Sequence, residues 1–288
     1  MKMNAIQINN VMKRYGRVTA LENVSFSFEH GKIYGLLGRN GAGKSTLINL
    51  IANRSFADEG EILIDGLPAK ENMAVHEKLF CMSAQDLYDS SLKVRDIFKW
   101  TDRFYDHFQK DLAFEIAERF SLDTRKRFPA LSKGQQSILK LTIALALDVP
   151  YVIFDEPVLG LDANHRELFY HFLLRDYEKR QRTIILATHL IEEVANIIEE
   201  VVLIDRGKFL LQEPVESLLE RGYCVCGPED ALEDYCRGRH VIGRDELGAM
   251  KLAYILGKKE ELPHGSPLQI SNMNLQKLFV KLTEKGGL

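Results

Sequence analysis

The chain is poor in the features that would mark a secreted, membrane-spanning or nucleic-acid-binding protein. Four cysteines in 288 residues (Cys81, Cys224, Cys226 and Cys236) are too few for a disulfide scaffold at this length. They are expected to be reduced thiols in a cytoplasmic protein. There is no basic excess, since 38 Lys+Arg stand against 41 Asp+Glu, and nucleic acid is therefore not an expected partner. A membrane span needs about 20 mostly apolar residues. The best run, Ser137 to Phe154, is broken by Lys140, Asp148 and Pro150 and reads as a buried helix followed by a buried strand. Met1 to Asn10 lacks the long apolar stretch of a signal peptide. Direct membrane insertion is not expected, so any membrane role must come through a partner.

What is present is an alternation of strand and helix patterns. Ile6, Ile8 and Val11, then Val24, Phe26 and Phe28, alternate in the strand manner, and Ile33 to Leu37 is a short apolar run of the kind buried in a sheet. A helix pattern follows at Leu47, Ile48, Leu50 and Ile51, and Glu61 to Asp65 reads as another strand. Residues from about 87 to 147 turn helical. Strands return at Tyr151 to Phe154, Thr183 to Ala187 and Val201 to Ile204, with helices between them at Asn164 to Arg180 and Leu190 to Ile198. This order predicts an α/β core with a largely parallel sheet and an inserted helical block. A composition shift near Pro214 sets off a small C-terminal extension, giving boundaries of 1–213 and 214–288.

Gly38-Arg39-Asn40-Gly41-Ala42-Gly43-Lys44-Ser45, followed by Thr46, fits the phosphate-loop pattern between a predicted strand and a predicted helix. Glycines let backbone N–H groups turn inward around phosphates, and the helix start adds its positive end. Lys44 supplies a cation to the β- and γ-phosphates, and the Ser45 hydroxyl is a Mg²⁺ ligand. Tyr151 to Glu156 is a hydrophobic strand ending in two carboxylates. Beside a phosphate loop, Asp155 is placed to hold Mg²⁺ and Glu156 to polarise an attacking water as general base. Leu131-Ser132-Lys133-Gly134-Gln135 opens the next helix. Ser132 and Gln135 form a capping-box pattern, and the same N-terminus is able to bind phosphate.

At this point the sequence resembles the ABC ATPases, whose signature L-S-G-G-Q differs here only by Lys133. The resemblance implies a P-loop (RecA-like) core, an N-terminal antiparallel β-subdomain, an inserted α-helical subdomain and a small α+β extension. It also assigns further residues over positions 1 to about 212. Tyr15 matches the aromatic that stacks on adenine, and Gln85 the Q-loop glutamine, a catalytic and Mg²⁺-associated position. Asp162 matches the D-loop acid and His189 the switch histidine. Ser132, Gly134 and Gln135 join the nucleotide site in trans, because such proteins sandwich each ATP between one subunit's phosphate loop and the other's signature.

The resemblance therefore implies a dimer with a second copy or a paralogue, ATP and Mg²⁺ as cofactors, and separate membrane permease subunits holding the chain at the inner face of the cell membrane. The aromatics Tyr88, Phe98, Trp100, Phe104, Tyr105 and Phe108 flank the expected permease groove, most of them as core. The helical spacing of Leu275, Leu278, Phe279 and Leu282 resembles the last helix of export-type members. A soluble, non-transport ABC ATPase is the alternative function. A zinc site at Cys224, Cys226, Cys236 and His240 is weighed below a strand in which Cys224 and Cys226 share a face.

Overall fold

The computed structural model describes residues 4–83, 88–248, 250–260 and 262–284. The chain divides into two units, one comprising Met1–His189 and Val202–Gln212 and the other Leu190–Val201 and Glu213–Leu288.

The first unit opens with β1 (Asn4–Tyr15), β2 (Val18–Glu29), β3 (Ile33–Leu37), α1 (Lys44–Ile51), β4 (Glu59–Ile64) and β5 (Leu67–Pro68). Next come α2 (Met73–His76), β6 (Leu79–Met82), α3 (Val94–Phe104), α4 (Lys110–Arg119) and α5 (Lys133–Ala146). The unit closes with β7 (Tyr151–Asp155), α6 (Ala163–Arg180), β8 (Thr183–Thr188), β9 (Glu200–Asp205) and β10 (Lys208–Pro214). β2-β1-β4-β5 form an antiparallel sheet, and β10-β9-β3-β8-β7-β6 form a second sheet in which β3, β8, β7 and β6 run parallel.

Every residue of β3, β7 and β8 is buried, as a strand covered on both faces requires. In register, Leu37 lies beside Thr188 and Asp155 beside Ala187, so three neighbouring strands end together. Ligands of open parallel sheets bind at such carboxyl ends. The predicted helical insertion is α3, α4 and α5. From Ile138 to Ala146 every residue of α5 is buried, the mark of a helix enclosed on all sides.

Two local readings are revised. The helix expected at Leu190 to Ile198 is a single turn, α7 (Ile191–Val194). Asn196 and the β-branched Ile197 and Ile198 propagate a helix poorly, and Glu199 and Glu200 would oppose its negative end. Leu79 to Met82, a four-residue edge strand, carries no periodic signal and is not anticipated from sequence.

The second unit holds α7, α8 (Val215–Arg221), β11 (Gly222–Gly227), α9 (Glu229–Cys236), β12 (Val241–Leu247), β13 (Met250–Leu256), β14 (Gln269–Asn272) and α10 (Leu275–Thr283). Its antiparallel sheet has the order β12-β13-β11-β14. Tyr223 and Val225 pack with Leu232, Cys236, Ala253 and Ile255, which seats α9 on one face. α10 lies against Gly222 and Gly243, where a Cβ would meet Leu278 at 2.4 Å and the Lys281 side chain at 2.8 Å. Cys224 and Cys226 occupy alternate positions of β11, as a strand dictates. Among the described residues no three His, Cys, Asp or Glu side chains are placed to hold a metal.

Lys281 is buried and satisfied by Asp245 at 2.8 Å and Glu284 at 2.8 Å, with Tyr254 donating to Asp245 at 2.7 Å. The hydrogen bonds from Lys281 and Tyr254 hold the Asp245 carboxyl at about 2. A depressed folded pKa gives stability that is present above the unfolded value and lost as pH falls toward about 2. Asp245→Asn should destabilise this unit by about 1 kcal/mol at neutral pH, discounted for solvent screening. In thermal unfolding the difference from wild type should shrink as pH falls from about 4 toward 2.

Candidate functional site

The loop leaving β3 is shaped by its glycines. Gly41 and Gly43 have φ of 80° and 107°, and a Cβ on Gly43 would lie 2.7 Å from the Ala20 carbonyl oxygen. A Cβ on Gly38 would lie 2.6 Å from the Ile204 carbonyl. The loop is pinned by Ala42 N–H donating to Arg39 O at 3.0 Å and Gly207 N–H to Ala42 O at 2.9 Å. Asn40, Gly41 and Ser45 are exposed and Thr46 half-buried, so the turn presents backbone and hydroxyl groups to solvent.

Lys44 is only 6% exposed, and its Nζ donates to Gly38 O at 2.6 Å and Arg39 O at 3.4 Å. The cation therefore sits inside the turn at the positive end of α1. Burial lowers its pKa, while Glu156 and Asp155 act to raise it.

Asp155 ends β7 and is buried. Burial and the neighbouring Glu156 push its carboxyl up, against a hydrogen bond from Ser45 and the charges of Lys44 and Arg54. Its Oδ1 is buried with no hydrogen-bond partner. An orphaned carboxylate oxygen beside a serine hydroxyl is a pair of hard oxygen donors, and the residues present fit Mg²⁺. Gln85, the third residue expected at the metal, lies outside the described residues.

Glu156 has φ 51°, a conformation that non-glycine residues adopt rarely and that concentrates at functional sites. Its backbone N–H donates to Ala187 O at 2.8 Å. Its side chain is gripped from the end of β8. Thr188 Oγ1 donates to Oε2 at 3.0 Å, and His189 Nδ1 lies 2.8 Å from Oε1. An ionised carboxylate can only accept, so Nδ1 carries the proton. Thr188 is a site residue that sequence reading missed. A threonine at a strand end preceding a singled-out histidine is the one signal that could have found it.

A second group gathers at the start of α5. Ser132 and Gln135 make the full capping box, with Gln135 N–H to Ser132 Oγ at 3.2 Å and Ser132 N–H to Gln135 Oε1 at 3.1 Å. Gly134 faces the Gly160 carbonyl, which a Cβ would approach to 2.9 Å. Asp162 caps α6. The structure thus brings Lys44, Ser45, Asp155, Glu156 and His189 together, and Gly134 together with the turn before Asp162. Tyr15 is a half-exposed ring at the β1–β2 turn, with Lys13 Nζ 5.4 Å from its centroid.

Between α3, α5 and β6 lies a cleft of about 610 Å³ lined by Arg54, His76, Tyr88, Thr101, Tyr105 and Lys140. Of the aromatics expected nearby, Phe98 and Phe108 are core, whereas Trp100 and Phe104 are exposed and stack at 6.0 Å.

The sequence profile of the family described as ABC transporter matches residues 21–159. The ABC transporter ATP-binding protein YtrB of Bacillus subtilis is 30% identical over 189 residues, 66% of this chain and 65% of that protein. Nod factor export ATP-binding protein I of Sinorhizobium fredii is 30% identical over 75% of this chain and 64% of its own length. Ribose import ATP-binding protein RbsA 2 of Rhizobium meliloti is 30% identical over 74% of this chain and 44% of its own length. The chain spans less than two thirds of these three relatives. Among solved structures, a dimeric ATP-binding cassette bound to ADP and Pi superposes with a TM-score of 0.66 at 23% identity. That match covers 73% of this chain and 98% of the other and establishes the fold.

Proposed function

The chain carries an ATP-binding domain of the ABC transporter family, and we propose that it binds and hydrolyses ATP as the motor subunit of an exporter. The observation that carries this reading is the Glu156 carboxylate, held by Thr188 and His189 beside the set formed by Lys44, Ser45 and Asp155. In the reaction, a water oxygen attacks the γ-phosphorus while its proton passes to Glu156. The bond from phosphorus to the β–γ bridging oxygen breaks, and ADP and phosphate leave. Lys44 and the loop N–H groups hold the phosphates, and His189 orients the base and the γ-phosphate. Mg²⁺, held by Ser45 and Asp155 with Gln85 as the expected third contact, supplies charge neutralisation of the phosphate oxygens when bound.

One phosphate loop and one signature per chain leave each site half built, so the working unit is a dimer with a second copy or a paralogue. Ser132, Gly134 and Gln135 then serve the partner's nucleotide and Tyr15 stacks on adenine. The 1–213 segment carries this chemistry and 214–288 is an accessory extension. The cleft beside α3 and α5 takes a segment of a permease, which places the chain on the cytoplasmic face of the membrane. Among the described residues no helix is long and apolar enough to cross a membrane. The exporter direction rests on the likeness of α10 to the last helix of export-type members; the relatives include both import and export proteins.

The test is purification of the tagged chain from detergent-solubilised membranes of its host, with co-purifying proteins identified by mass spectrometry. A polytopic membrane protein in stoichiometric amount is expected. A chain that comes down with soluble proteins alone would favour a non-transport ATPase instead.

A further inference from the structure

An aspartate that caps a helix needs one oxygen for the task. Asp162 Oδ1 accepts from the His165 backbone N–H at 2.9 Å, which completes the cap of α6. Its other oxygen, which a simple cap leaves to water, is 2.8 Å from the His165 ring Nδ1. The backbone and ring bonds from His165 hold the Asp162 carboxyl below the usual range. The imidazole does not hang in solvent. It lies over the Phe120 ring at 5.8 Å and 15°, and Phe120, which is buried, stacks in turn on Phe172 of α6 at 6.0 Å. Phe120 follows α4, so the chain of contacts from Asp162 through His165 ends in the helical insertion.

The segment on the other side of Asp162 is equally constrained. Leu159 N–H donates to Glu156 O at 3.2 Å and Leu161 N–H to Val158 O at 3.1 Å, two successive tight turns linking the general base to Asp162. Gly160 meanwhile abuts Gly134 of the signature. The turn from Glu156 to Asp162 is therefore anchored at the base by Thr188 and His189, in the middle by Gly134, and at its far end by the two His165 bonds to the Asp162 carboxylate and by Arg166 N–H donating to Asp162 O at 3.0 Å.

We infer that His165 is a positioning residue for hydrolysis: its ring Nδ1 holds the Asp162 carboxylate and so sets the register of the Glu156–Asp162 turn, the stack on Phe120 serving only to orient the ring. This rests on the reading of Glu156 as general base.

The experiment compares His165→Phe, which keeps the stack and loses the bond, with His165→Asn, which keeps a donor for Asp162. Steady-state ATP hydrolysis is measured for each, with Glu156→Gln as the inactive control and thermal unfolding as the check on folding. His165→Phe is expected to unfold close to wild type yet lose about three- to tenfold in kcat, the net worth of one partly exposed hydrogen bond, with KM for ATP within about twofold. His165→Asn should recover most of the loss. A wild-type kcat in the Phe variant, or a loss that Asn does not recover, overturns the inference while leaving the reading of Glu156 intact. Hydrolysis by Glu156→Gln at the wild-type rate overturns that reading and the inference with it.

Discussion

Glu156→Gln is expected to lower ATP hydrolysis by about three orders of magnitude, the range spanned by loss of a positioned general base. The exchange is almost isosteric, and the geometry lets the amide keep both of its neighbours. Thr188 Oγ1 donates to one oxygen at 3.0 Å, a bond that the amide oxygen retains. His189 Nδ1 lies 2.8 Å from the other, where the amide nitrogen donates once the histidine takes its alternative neutral tautomer. The φ of 51° is as attainable for Gln as for Glu, and the N–H to Ala187 O bond is untouched. What disappears is the capacity to take a proton.

Binding should survive, because the groups that meet phosphate are elsewhere. Asp155 would lose the repulsion of a neighbouring carboxylate that now helps to push its pKa up. With nucleotide bound and hydrolysis stalled, two chains should stay closed around ATP. Size-exclusion chromatography with Mg-ATP should show a dimer for the variant and mainly monomer for wild type after turnover. A variant that stays monomeric under those conditions would count against the shared site, and one that hydrolyses normally against Glu156 as base.

Which parts of this were legible in the sequence follows from how local the signal is. The phosphate loop and the Asp155–Glu156 pair are contiguous, and each sits where a fully apolar strand must end, so pattern and function coincide within eight residues. β3, β7 and β8 are buried on both faces, and their unbroken apolar runs announce it. The grip on Glu156 was half visible. His189 came from the resemblance, but Thr188 acts across 32 positions of chain, and parallel pairing of β7 with β8 is what brings them together.

The second unit hid its sheet for a different reason. β12 carries Arg244, Asp245 and Glu246 in a row, which no alternating apolar pattern would select. Those charges are satisfied after folding, Arg244 by Glu233 and Asp245 by Lys281, so polarity in the sequence became pairing in the structure. His165 was unremarkable for a similar reason. Its bond to Asp162 is readable as an i,i+3 contact, but its stack on Phe120 depends on how α4 and α6 pack.

Lys44→Ala should weaken ATP binding on the order of 100-fold, the loss of one or two charge-assisted bonds to phosphate. The lysine is the buried positive charge beside Asp155 and Glu156, and both of these act on its pKa. Removing it takes away the attraction for the nucleotide and leaves two adjacent carboxylates facing an incoming polyanion. Arginine should not rescue it. The Nζ sits 2.6 Å from Gly38 O inside a turn closed by Ile204 and Ala42, and a planar guanidinium has no room there.

The same substitution has a pH signature. Asp155 already has a raised folded pKa, so the folded state binds its proton more readily than the unfolded chain. An acid raised in this way costs stability at neutral pH, and the deficit shrinks as pH falls through its folded value. Without Lys44, which acts to lower that value, the rise should be larger. The variant should therefore lose more stability at neutral pH than near pH about 4, by thermal unfolding without nucleotide. Titration with a fluorescent ATP analogue reads the binding loss directly. Wild-type affinity in Lys44→Ala would mean that the phosphates are held somewhere other than this loop, and the assignment of the site would fall with it.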